Sequence, residues 1–301
     1  MSEQTLDRPV PPVASPAPRP WRAVLGAATM AVALGAGQPL GDAAAGALSL
    51  TGFPARLLPA LMVTAIAVPL VAVLLRRDRM TAHQLGLTGV RASIAAMLLG
   101  ITVTGGAAAV AFGLGTAAGW LTWSAFDPAA FAAFLVTNTV LAVLLEALPE
   151  ELTFRGYAWR TLRNRFGGFL SALLTTGLFV LVLPMSIVVA VAVSMLLGRT
   201  PPPLGLAPAG EDPVAYFVLL VCFGFLLVAA RTATAGASLF TCIAAHLTFL
   251  TVNRVVLFGE ALSAGWHADL LTPDAVLLVP GYLLLAMVAF VLIGRATGPT
   301  A

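Results

Sequence analysis

P-A-A-F-A-A-F-L-V-T-N-T-V-L-A-V-L-L-E-A-L-P-E-E-L-T-F-R-G, residues 128–156, joins a long apolar run to three carboxylates and one guanidinium. The apolar part, 128–148, is long enough to cross a hydrocarbon core at about 1.5 Å per residue. Glu146, Glu150, Glu151 and Arg155 then follow within roughly three helical turns. Elsewhere the chain is sparing with charge, which amounts to 10% of residues. Ionisable groups at membrane depth are costly, so such a cluster points to a functional site.

The composition widens that reading to the whole chain. Hydrophobic residues make up 59% of 301 and the mean hydropathy is +0.98, the profile of a polytopic membrane protein rather than a soluble domain. All 16 basic residues are arginine. The net charge of +3 does not argue for a nucleic-acid partner, because topology accounts for where the arginines fall. Cys222 and Cys242 lie inside apolar runs and read as small buried hydrophobes, not as a disulfide. Three histidines without a C-x-x-C pair give no basis for a structural zinc site.

Residues 1–20 hold six prolines and read as a disordered tail, with no small-residue cleavage site to suggest a removed signal peptide. Eight apolar runs follow, at about 21–41, 54–75, 93–118, 128–148, 168–197, 213–230, 236–258 and 273–294, so residues 21–295 form one transmembrane bundle and 296–301 a short tail. Pro184 marks the fifth as tilted or kinked. Thirteen arginines fall on one side of the bundle and only Arg56, Arg199 and Arg254 on the other. That asymmetry puts both termini in the cytoplasm. Trp120, Trp123 and Trp266 then reach the outer interface, and Gly115 with Gly119 form a helix-packing G-x-x-x-G frame. The expected fold is an all-α membrane protein, an eight-transmembrane-helix bundle.

Within the acidic stretch, Pro149 disfavours helical geometry at Leu148 and suits the first turn of a new helix. Glu150 and Glu151 would then sit at a helix N-terminus, where the macrodipole stabilises carboxylates. Glu151 and Arg155 are spaced to pair along one face, whereas Glu150 points about 100° away and lacks a local partner. Such a free carboxylate beside a cavity can accept a proton from water.

E-E-L-T-F-R-G at 150–156 resembles the E-E-x-x-x-R-G signature of the CPBP family, intramembrane proteases that include the type II CAAX prenyl endopeptidases and bacterial immunity-type relatives. R-T-A-T-A-G-A-S-L-F-T-C-I-A-A-H, residues 231–246, resembles the lead into that family's histidine helix. Q-L-G-L-T-G-V-R at 84–91 resembles a short segment before an early span. The similarity covers about residues 80–255. It implies an eight-span bundle in a bacterial plasma membrane, with Glu150 as the base activating water, Arg155 holding Glu151, and His246 as the third-motif histidine. A membrane-associated protein or peptide is the implied substrate. A divalent metal such as zinc, held by His246 and Glu150, and a glutamate-protease mechanism both remain open.

Two positions depart from the family's F-x-x-x-H and H-x-x-x-N motifs. Phe179 is followed by Leu183 where histidine belongs, and His246 by Leu250 where asparagine belongs. Asn253 shares the face of His246 but lies about 10 Å along the axis. Glu146 and Asn253 are the auxiliary candidates. The leading expectation is an endopeptidase working from a cytosol-facing cavity. A catalytically degenerate immunity, binding or regulatory protein is the alternative. A proton-coupled transporter comes third, since no matching interrupted segment repeats in the second half.

Overall fold

The computed structural model describes residues 19–208, 210–234 and 236–298. Most of the expected Pro-rich tail, residues 1–18, falls outside them. Among the described residues, eight helices are long and apolar enough to cross a membrane, each on one of the expected runs. They are α1 (Ala23–Ala47), α2 (Gly52–Asp78), α3 (Val90–Ala117), α4 (Pro128–Arg163), α5 (Gly168–Leu196), α6 (Pro213–Thr232), α7 (Leu239–Phe258) and α8 (Leu278–Ala296). The chain is an integral, multi-pass membrane protein.

Helix starts follow local chemistry. The Asp127 side chain accepts from the amides of Ala129 and Ala130 to begin α4, and Asp212 accepts from Ala215 to begin α6. Each has a proline just inside, where its missing N–H costs nothing. Ser238 caps α7 through the amide of Phe240.

Close backbone approach sets the packing of α1. A Cβ on Gly35 would lie 2.3 Å from the Ser186 carbonyl of α5, and one on Gly41 would lie 2.3 Å from Pro59 Cα of α2. The G-x-x-x-G reading in α3 holds only in part. Gly115 packs against Leu278, but Gly119 meets nothing and has φ +71°, so it ends the helix instead of packing it.

The ends of the bundle differ. At the arginine-poor end, β1 (Leu121–Trp123) and β2 (Ala268–Leu270) pair antiparallel, a small ribbon in what read as loops. Trp123 and Trp266 stack there with centroids 4.2 Å apart. At the arginine-rich end, Arg22 and Tyr157 both bond the buried Asp78 carboxylate, tying α1, α2 and α4 together.

The expected break at Leu148 does not occur. α4 runs on to Arg163, and Leu148 keeps helical dihedrals of −73° and −54°. The helix instead widens into π turns over Val143–Ala147 and again over Glu151–Ala158. Pro149 offers no N–H and its ring crowds the carbonyl one turn back, and wider turns on either side relieve that conflict. Thr64 Oγ1 donates to the Leu144 carbonyl, and Thr153 Oγ1 donates to those of Pro149 (2.9 Å) and Glu150 (3.0 Å). Glu150 and Glu151 therefore lie mid-helix, and stabilisation by a helix N-terminus does not apply to them.

Candidate active site

The continuous α4 also sets the depth of Glu150. A helix ending at 148 would leave Glu150 at the membrane surface, far from a histidine well inside α7. With α4 extended to Arg163, Glu150 is internal, and both Glu150 and His246 line one cavity of about 710 Å³.

The second glutamate is the anchor. Glu151 is fully buried, and its Oε1 accepts from His246 Nδ1 at 2.9 Å and from an Arg155 amine at 3.4 Å. The Arg155 guanidinium is itself fully buried and stacks over the Phe179 ring, 4.3 Å from its centroid. Phe179 is thus the cation–π partner of the E-E-x-x-x-R arginine, a role its motif position did not disclose. Arg231 locks the same layer from α6. It donates from Nε to the Arg155 carbonyl (3.0 Å) and from its terminal amine to the Leu85 carbonyl (2.8 Å). His246 is further fixed by an edge-on contact with Phe223, centroids 4.9 Å apart. With Nδ1 committed to a carboxylate, Nε2 is the ring nitrogen left for another partner.

Glu150 has no such commitments. Its side chain joins none of the hydrogen bonds or ion pairs among the described residues, and it is 8% exposed at the cavity wall. Asn253 also lines the cavity, its Oδ1 accepting from Tyr282 OH at 3.2 Å. Leu183 and Leu250 line it too, so the two motif departures sit on the cavity surface rather than facing lipid.

Glu146 lies in the same wall, paired with Arg254 at 2.6 Å, and Arg254 also donates to Asn138 Oδ1 at 2.8 Å. Arg254 is therefore no interfacial topology marker: it reaches back into the bundle to neutralise a carboxylate. The signal was available, since Glu146 and Arg254 are opposite charges inside two apolar runs, but nothing local showed that those runs meet. The cavity was expected to face the cytosol. Its lining extends toward Phe258, Val276 and Leu277, at the arginine-poor end.

A catalytic metal needs about three converging protein donors. No group of three or more His, Cys, Asp or Glu is placed to hold one among the described residues. His246 Nδ1 is engaged by Glu151, and leucine fills both positions where further donors would stand. The donor set does not fit a metal.

No curated protein matches the sequence. Residues 132–252 match the family described as Rce1-like, type II CAAX prenyl endopeptidase Rce1-like. That stretch carries Glu150, Glu151, Arg155 and His246. Over that stretch the chain is similar to the type II CAAX prenyl endopeptidase family.

Proposed function

We propose that this protein is an intramembrane endopeptidase of the CPBP type, hydrolysing a peptide bond of a membrane-associated protein or peptide. One observation carries the reading: Glu150 reaches the cavity without a partner, on a wall it shares with a histidine held in place by Glu151 and Arg155. Glu150 takes a proton from water as the water oxygen attacks the peptide carbonyl. The tetrahedral oxyanion then collapses, the C–N bond breaks, and the departing nitrogen receives the proton from Glu150. Glu151 and Arg155 are positioning residues, and His246 is the polar partner for the reacting carbonyl.

A second reading rests on Leu183 and Leu250. Neither can donate to an oxyanion, and loss of one such donor typically costs about 10²–10³ in rate. On that reading the same cavity binds a membrane partner without cutting it. Membranes expressing the wild type or Glu150→Gln separate the two by their new protein N-termini. Cleavages present in the wild type and absent from the variant support the endopeptidase. Identical N-termini in both, with the partner still captured, leave the binding role.

A further inference from the structure

The cavity has a direction, and it is opposite to the one expected. α6 lines it from Ala215 to Phe223, although that helix continues to Thr232 at the arginine-rich end. α7 lines it from His246 to Phe258, although it begins at Leu239. Pro208 and Glu211, from the α5–α6 connection, complete the rim at the arginine-poor end. Exposure falls along this line, from 61% at Leu277 and 48% at Phe258 to 8% at Glu150 and 2% at His246.

Beyond the floor the bundle is closed. Glu151, Phe154, Arg155 and Tyr157 are completely buried, and Arg231 is 3% exposed. The Arg231 bonds to the Leu85 and Arg155 carbonyls cross this layer, and the Arg22–Asp78–Tyr157 cluster seals the helices below it. Arginine excess marks the cytoplasmic side of a membrane protein. The closed face is therefore the cytoplasmic one.

We propose that the cavity is served from the extracytoplasmic side, so that its substrate is a polypeptide segment in the outer leaflet or emerging from it, not one presented by the cytosol. The rim is largely apolar, with Leu257, Phe258, Val276 and Leu277 around the single carboxylate of Glu211, which suits a segment leaving lipid. The substrate class rests on reading Glu150 and His246 as the reactive floor; the direction of access does not.

Single cysteines test it in a Cys222→Ala, Cys242→Ala background checked for folding by thermal unfolding in detergent. Leu250→Cys and Ser186→Cys report the cavity, Ala82→Cys the arginine-rich face and Glu260→Cys the arginine-poor face. A charged, membrane-impermeant methanethiosulfonate is applied to right-side-out and to inverted vesicles. Because a charged reagent crosses the bilayer core poorly, the cavity cysteines should react from the Glu260→Cys side roughly ten- to a hundredfold faster than from the other. Reaction from the Ala82→Cys side, or from neither, overturns the proposal. Outer-side labelling without Glu150-dependent cleavage would fail only the endopeptidase reading. Inner-side labelling with such cleavage would fail only this one.

Discussion

Glu150 and Glu151 are adjacent in sequence yet have opposite surroundings. One is committed to His246 and Arg155 inside a sealed layer, and the other is free at a cavity wall. Replacing Glu150 with glutamine keeps size and removes the base, so cleavage should fall by about 10²–10⁴-fold with the unfolding temperature unchanged. Leu183 and Leu250 permit the converse experiment. Since both line the cavity, Leu250→Asn or Leu183→His places a donor beside the substrate rather than in lipid. Either should raise the cleavage rate, by up to about 10²–10³ if oxyanion stabilisation is the step that the leucines weaken. An unchanged rate in both, measured on one substrate, would show that the missing donors do not limit cleavage.

α4 is the element that makes the site, and it was only half legible. Its apolar run and charge cluster marked a span and a site, and the E-E-x-x-x-R spacing showed that Arg155 pairs with Glu151. Pro149 misled, because proline rules describe a helix alone, whereas here Thr64 and Thr153 take up freed carbonyls and π turns absorb the ring. The two charges of the Glu146–Arg254 pair were visible but their pairing was not, because it joins α4 to α7, and pairing between helices is a tertiary fact. Removing Arg254 alone leaves Glu146 and the Asn138 Oδ1 without their donor, so Arg254→Leu should destabilise by about 1–2 kcal/mol in detergent unfolding. The Glu146→Leu, Arg254→Leu double variant should recover much of that loss. Equal and additive losses would show that the pair contributes nothing to the packing of α4 on α7. Arg231 gives a stronger effect, since it holds two carbonyls from a buried position. Arg231→Leu should cost about 2–4 kcal/mol, read in the same assay, and retention of wild-type stability would remove it as the tie between α6 and α4.

For the molecule as a whole, the number of spans and the arginine bias were readable from sequence because lipid enforces both. The direction of the cavity was not, since it depends on which helix ends part and which stay packed. Small residues decide much of that packing. Gly100 sits so close to α7 that a Cβ would lie 2.6 Å from the Thr241 carbonyl, and Gly100→Val should cost about 1–3 kcal/mol by pushing α3 off its neighbour. A variant as stable as the wild type would show that the α3–α7 approach is looser than described. The proposal is chemical: a carboxylate without a partner, lining one cavity with a held imidazole, would cut peptide bonds. It is tested most directly with purified protein in proteoliposomes, incubated with a cleavable membrane peptide in ¹⁸O-labelled water and read by mass spectrometry. Wild type should release two fragments with ¹⁸O in the new carboxyl terminus, and Glu150→Gln should release neither. Fragments of equal yield from both proteins would contradict it.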